Sequence, residues 1–189
     1  MQKGKVEQKA AVVRDRSDAD LVRLAQENIE HFGLIYQKYW EPVYRFVYKR
    51  VAEEHLVADI AQEVFVKAMS AIGRYEDRGY AFSSWLFRIA ISESGNAVRK
   101  RLTDRRIRAQ STDLIELMNE VYDETNDQRL ELVKQAMESL KDKELQLIQL
   151  RYFEKMKLKD VAVILNMTES SCKVKMFRVM EKIRKHVRA

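Results

Sequence analysis

Leu158-Lys159-Asp160-Val161-Ala162-Val163-Ile164-Leu165-Asn166-Met167-Thr168-Glu169-Ser170-Ser171-Cys172-Lys173-Val174-Lys175-Met176-Phe177-Arg178 is the stretch on which the fold turns. Apolar residues recur at helical spacing up to Leu165, and again from Cys172 through Met176, Val179, Ile183 and Val187 at steps of 4, 3, 4 and 4. Between the two runs stands Asn166-Met167-Thr168. Asn166 holds the turn position where glycine is common, and asparagine tolerates a left-handed conformation better than most residues. Thr168 is a good N-cap for the helix that follows. Ala162 is small where two helices must cross closely. A short helix, a turn and a long helix in this order make a helix-turn-helix. Residues 169–189 carry a net charge of +5, and Ser170, Ser171, Lys173, Val174, Phe177, Arg178 and Lys182 fall on the outer side of the long helix. Taken alone, a basic stripe on a terminal helix is an ordinary solvated face. The turn and short helix before it turn the reading toward duplex DNA.

The rest of the chain agrees with a helical protein. Glycine (5) and proline (1) are scarce among 189 residues, against roughly 12% for the pair in average proteins. A sheet protein of this length needs more turns than so few such residues supply, so the expected fold class is all-α. A hydrophobic content of 46% with 34% charged residues suits small helical bundles with much surface, and argues against wholesale disorder. The single cysteine, Cys172, excludes an internal disulfide framework and a zinc site built mainly on thiolates. His31, His55 and His186 lack metal-ligand spacing, so no metal or cofactor is expected. No apolar run approaches the roughly 18 residues of a membrane span. Met1-Gln2-Lys3-Gly4-Lys5 is charged without an apolar stretch behind it, so no signal peptide and a cytoplasmic location are expected. No phosphate-binding glycine loop or nucleophile–base pattern speaks for an enzyme.

Charge divides the chain. The net charge of +6 splits into +2 over residues 1–19, +1 over 20–103, −3 over 104–129 and +6 over 130–189. From Arg99 to Arg108 there are six positive charges and one negative; from Ala109 to Gln128 there are six acidic residues and no basic one. Such a switch reads as a linker or a self-masking segment. Leu114, Ile115, Leu117 and Met118 leave open a short exposed helix there. The expected organisation is a tail over 1–19, a helical domain over 20–103, a flexible linker over 104–129 and a second helical domain over 130–189.

In the first domain Asp18 or Asp20 could cap a helix with Leu21, Leu24 and Ala25 on one face. Phe32, Ile35, Tyr36, Tyr39, Val43, Phe46, Val47 and Val51 then mark an amphipathic helix, with Pro42 inside it as an expected kink or restart. A helix over Leu56–Ile72 should bury Leu56, Ile60, Val64, Ala68 and Ile72 and expose Asp59, Gln62, Glu63 and Lys67. After the polar loop 74–80, a helix from Ser83 to about Arg101 should turn Trp85, Leu86, Ile89, Ala90 and Val98 inward and Arg88, Ser92 and Asn96 outward. In the second domain, helices are set by Leu130, Val133, Met137 and Leu140, and by Leu145, Ile148, Leu150, Tyr152 and Phe153, before the helix-turn-helix.

Two motifs in this frame resemble a known family. Asp59-Ile60-Ala61-Gln62-Glu63-Val64-Phe65 and Phe82-Ser83-Ser84-Trp85-Leu86-Phe87-Arg88-Ile89-Ala90 are similar to region 2 of the extracytoplasmic-function sigma factors of bacteria, and Leu158–Arg178 resembles their region 4. The resemblance covers about three quarters of the chain. It implies that Asp59, Gln62, Glu63 and Phe65 dock on the clamp helices of core RNA polymerase. It implies further that Lys67, Tyr75, Tyr80, Ser84, Arg88, Ser92, Asn96, Arg99 and Lys100 meet the unpaired promoter −10 strand, with a loop pocket, amide and hydroxyl groups for base edges and a basic run for phosphates. In the −35 major groove it places Ser171, Lys173, Val174, Phe177 and Arg178, with Lys175 and Lys182 on phosphates. Lys173 and Arg178 could donate to guanine, and Val174 or Phe177 could cover a thymine methyl. The chain departs from the family at Ser92, where Asn is common, and at Gly95, where a larger residue is usual; the preferred −10 bases are expected to differ accordingly. Cys172 stands where Val is usual and reads as core.

The resemblance thus implies a monomeric sigma factor that directs core polymerase, through its clamp helices and flap, to −10 and −35 promoter DNA. It also implies an anti-sigma partner, and a path for the acidic linker near the RNA exit of the polymerase. The alternative is a stand-alone helix-turn-helix regulator using the second half only. Such proteins usually pair half-sites, and no dimerisation helix is evident.

Overall fold

The structure, a computed structural model, describes residues 16–51, 54–95 and 127–188. All its regular elements among these are helical. The first domain holds α1 (Asp18–Glu27), α2 (Phe32–Tyr48), α3 (Glu54–Ala71) and α4 (Phe82–Gly95). The second holds α5 (Asp127–Glu138), α6 (Asp142–Ile148), α7 (Leu158–Ile164) and α8 (Glu169–Arg188). Most of the expected linker, and the residues 96–101 into which the last helix of the first domain was expected to continue, lie outside the described residues.

Local chemistry sets the ends. Ser17, rather than Asp18 or Asp20, caps α1, its Oγ accepting from the Asp20 N–H at 3.2 Å. Pro42 does not restart the helix: α2 runs unbroken through it. Proline removes one backbone hydrogen bond, and the burial of Tyr39, Val43, Phe46 and Val47 on either side offsets that loss. Tyr36, expected inward, is exposed and stacks on Trp40 with centroids 5.1 Å apart.

The buried stripe of α3 keeps Val64, Ala68 and, just past the helix end, Ile72 of the expected set, and shifts by one residue only in its first two turns. Val57, Ala61, Val64, Phe65 and Ala68 are buried, while Leu56 and Ile60 sit half-buried at its edge. Along α4, Phe82, Leu86 and Ala90 form one buried line and Ser84, Phe87 and Ser94 another, so Trp85 is only partly covered. That leaves Arg88, Ser92 and Gly95 outward.

In the second domain α8 packs against α5, α6 and α7 through Cys172, Met176, Val179, Met180 and Ile183. Asn166 ends α7 in the left-handed region, with φ 53°. The Met167 N–H reaches back to the Ala162 carbonyl at 2.9 Å, the reverse turn that closes a helix. Thr168 then caps α8 by accepting from the Ser171 N–H at 3.2 Å. A single π turn, Gln149–Phe153, follows α6 and leads into Lys155, whose φ is 52°.

The two domains touch. α7 packs on α4, the Gln149 Nε2 donates to the buried Phe46 carbonyl at 3.0 Å, and Lys49 lies over the Phe153 ring at 4.3 Å. Buried apolar side chains run as one cluster through both.

Candidate nucleic-acid interface

The expected polymerase-binding face is on α3. Asp59, Gln62 and Glu63 are exposed on one stripe. Phe65 is not: at 3% exposure it packs into the first domain, 4.8 Å from the Tyr36 ring and 6.0 Å from that of Trp40. A phenyl group beside two aromatic side chains of α2 gains more from burial than from water contact, so Phe65 supports the face from behind. Two residues that sequence reasoning passed over share the face. Val66 (50% exposed) and Met69 (43%) continue the stripe of Asp59, Gln62 and Glu63. Apolar residues interrupting a polar helical stripe were the available signal, and such a centre with a polar rim is the usual build of a protein interface.

The expected −10 residues divide. Tyr75 closes on Phe82 and Trp85 edge-on, with centroids at 5.3 and 5.2 Å, and its phenol pKa is raised, first by burial and then by Asp77 and Asp18. Gln26 of α1 fixes this loop by donating to the Ile72 and Tyr75 carbonyls at 2.9 and 2.8 Å. Tyr80 is 44% exposed, and a cleft of about 280 Å³ opens between α1 and the loop, lined by Arg23, Gln26, Tyr75, Asp77, Tyr80 and Phe82 among others. Gly79 turns the loop with φ 79°, a conformation costly for other residues.

Ser92 is exposed on the outer row of α4, one turn from Arg88. Ser84 is buried, and its Oγ has no hydrogen-bond partner among the described residues; it falls on the row of Phe87 and Ser94, which faces the core. Lys67 is held by Glu93 of α4 and lies 3.7 Å from Glu63, contacts that raise its pKa, so it links α3 to α4. Arg88 donates its guanidinium to the Val163 carbonyl of α7. Asn96, Arg99 and Lys100 lie outside the described residues.

The expected −35 residues sit mostly together on α8. Phe177 is 64% exposed and Val174 51%, two apolar groups side by side on a cationic helix. Ser171, Lys173 and Arg178 are exposed around them, and Lys175 is half-buried. Lys173 lies 2.8 Å from Glu169, a one-turn ion pair that solvent screens and DNA phosphate could replace. Lys182 turns the other way: its ammonium donates to the Ser139 carbonyl at 2.6 Å and lies 3.8 Å from Glu144. In this arrangement it ties α8 to the start of α6 rather than reaching for phosphate. Burial, and then Glu169, raise the pKa of the Cys172 thiol, which keeps it in its unreactive form.

Among the described residues no group of three or more His, Cys, Asp or Glu could hold a metal, and no helix is long and apolar enough to cross a membrane. The arrangement offers an exposed basic helix, a loop-and-helix surface with hydroxyl and aromatic groups, and a separate acidic-apolar face.

Comparison with known proteins assigns both halves. The family model for Sigma-70 region 2 matches residues 35–103, and that for Sigma-70, region 4 matches residues 130–183. The ECF RNA polymerase sigma factor SigW of Bacillus subtilis is 29% identical over 167 residues, 83% of this chain and 89% of that one. The RNA polymerase sigma-H factor of Pseudomonas aeruginosa is 26% identical over 185 residues, 92% of this chain and 95% of its own. The solved structure of CnrH in complex with the cytosolic domain of CnrY matches at a TM-score of 0.66 and 20% identity, covering 90% of this chain and 96% of that one. With both modules present in order and along most of its length, the chain belongs to the extracytoplasmic-function branch of the sigma-70 family.

Proposed function

We infer that the chain works as an RNA polymerase sigma factor, directing core polymerase to specific promoters and initiating DNA-templated transcription. The observation that carries this is the joint presence of regions 2 and 4. A stand-alone helix-turn-helix regulator has no use for the first. Sigma factors are initiation factors that confer specificity on an enzyme, and this chain is read as catalysing no chemistry of its own. It acts where the polymerase is, in the cytoplasm.

The division of labour follows the faces. The α3 stripe of Asp59, Gln62, Glu63, Val66 and Met69 is read as the contact with the polymerase clamp helices. The loop 75–80 and the outer row of α4, with Arg88 and Ser92, are read as taking the unpaired −10 strand, bases stacking on the loop aromatics and phosphates meeting the following basic run. Helix α8 is read as entering the −35 major groove with Lys173, Val174, Phe177 and Arg178 toward the bases. Either DNA contact alone is weak, and the polymerase joins them into one bivalent grip. In its solved structure CnrH is bound to the cytosolic domain of CnrY. A second solved relative, RpoE from Bartonella quintana, is in complex with the anti-sigma factor NepR, and matches at 18% identity and a TM-score of 0.57. An anti-sigma factor is proposed for this chain on that ground.

The reading is tested by binding to bacterial core polymerase in solution. A stable one-to-one complex is expected, weakened by Glu63→Ala and more so by Met69→Glu, with promoter base preference unchanged. Absence of a complex with the folded wild-type chain would contradict it.

A further inference from the structure

Helix α1 carries a side chain that acts on the loop 75–80 from outside it. Gln26 stands in the last turn of α1, and its Nε2 donates twice, to the Ile72 carbonyl at 2.9 Å and to the Tyr75 carbonyl at 2.8 Å. The amide nitrogen must be the atom that faces them, since its oxygen there would set three acceptors together. The Ile72 carbonyl also accepts from the Tyr75 N–H at 3.0 Å, so the amide seals the short helical turn Ile72–Arg74 where the chain leaves it. The mount of this side chain is firm. Leu21, Val22 and Ala25 of α1 are buried, and Asp18 accepts from the Tyr39 hydroxyl of α2 at 2.7 Å and lies 2.9 Å from Lys38. Past Tyr75 the hold is looser. Among the described residues the backbone of 76–80 is tied only within the loop, the Gly79 N–H donating to Asp77 Oδ1 at 2.8 Å. Tyr75 is therefore where the loop is aimed: Gln26 holds its carbonyl, while Phe82 and Trp85 of α4 hold its ring.

We propose that Gln26 is a positioning residue for −10 recognition: from α1 it sets the entry of the loop 75–80 against α4, and the base selectivity of the −10 contact depends on that setting. The proposal deepens the −10 reading given above and rests on it. Gln26 itself touches no base. It orders the loop entry before DNA arrives, so less ordering remains to oppose binding. A loop held in one arrangement leaves polar groups unpaired against a wrong base, whereas a loop free to adjust accommodates right and wrong bases alike.

Two measurements on the full chain test this. Hydrogen exchange at Tyr75, whose N–H closes on Ile72, reads the hold without DNA. Run-off transcription with core polymerase, on a promoter mapped from transcript starts and on its single-base −10 and −35 variants, reads selectivity. Gln26→Leu, close in size but without a donor, is expected to speed exchange at Tyr75 and to reduce −10 base preference about tenfold at one or two positions. The −35 ranking and polymerase binding should not change. Gln26→Glu, whose carboxylate would face two carbonyls, should act the same way. Gln26→Lys restores a donor and should keep the preference, although its charge strengthens contact with every sequence. These two polar variants preserve the comparison if Gln26→Leu does not fold. Unchanged −10 preference in Gln26→Leu and Gln26→Glu would overturn the proposal. So would a lost preference with unchanged exchange, which would mean direct contact with a base, or an equal loss in Gln26→Lys. Loss of the −35 ranking alongside would mean that the amide only supports the fold, and would overturn it too. A wild-type chain with no −10 base preference would overturn the −10 reading and the proposal with it, a failure recognisable because exchange still responds to the substitutions.

Discussion

Glu154 shows how a single side chain reports on its surroundings. It leaves the π turn with its side chain only 3% exposed, its Oε2 lies 3.7 Å from Arg45, and its Oε1 has no hydrogen-bond partner among the described residues. Burial pushes its pKa above the ordinary glutamate range, and Arg45 and Lys49 offset only part of that. A carboxyl whose folded pKa exceeds its unfolded one binds its proton more tightly in the folded state. Its contribution to stability is therefore complete below the unfolded pKa, about 4.3, and is lost as pH rises through the folded value. Glu154→Gln, neutral throughout, removes that loss. At pH 7 the variant should melt no lower than wild type, and wild type should gain on it as the pH falls toward 5. Melting curves at the two pH values check this. A variant that is the less stable at pH 7 and recovers at pH 5 would mean that the Arg45 pair outweighs the desolvation. Cys172, by contrast, was readable in advance: its place on the inner row of a long periodic helix settles its burial.

At the scale of elements, periodicity located most helices but not always the face each one buries. On α3 the pairs Leu56–Ile60 and Val57–Ala61 both lie beside the buried Val64 and Ala68, and spacing alone does not choose between them. The choice falls to Tyr36 and Trp40 of α2, which supply aromatic contacts to Phe65, a tertiary fact absent from the local pattern. Ser84 was misplaced for a related reason, since α4 is covered on two rows and its hydroxyl lies on one of them. On α8 only one row is apolar enough to be inner, and the outer residues were legible accordingly, apart from Lys182. That side chain reaches back to the Ser139 carbonyl, 43 positions earlier in the chain, and no helical pattern announces such a contact. The exposed pair Val174 and Phe177 is the clearest sign of a groove-facing surface, since neither gains from water. Arg178→Ala or Lys173→Ala should weaken −35 recognition by about 1–3 kcal/mol and relax base preference at one position each. Transcription from a set of single-base −35 variants measures both effects. An Arg178→Ala protein that ranks those variants as wild type does would remove that residue from the readout.

For the molecule as a whole, two helical domains with a charge switch between them could be read from composition and charge, whereas their mutual contact could not. Asp160 with Ala81, and Gln149 with Phe46, join positions 79 and 103 apart in the chain, and each pair is chemically ordinary until the fold brings it together. The assembled molecule keeps the proposed polymerase face of α3 and the outer residues of α8 exposed, while Arg88 of α4 is engaged by the Val163 carbonyl of α7. The most direct test of sigma activity is run-off transcription by bacterial core polymerase on fragments of the source genome, with and without the protein. Defined transcripts that appear only with it, preceded by a shared pair of upstream elements, are the predicted result. No added transcripts from active core polymerase, together with tight binding of the protein alone to duplex DNA, would contradict the account and leave a stand-alone regulator in its place.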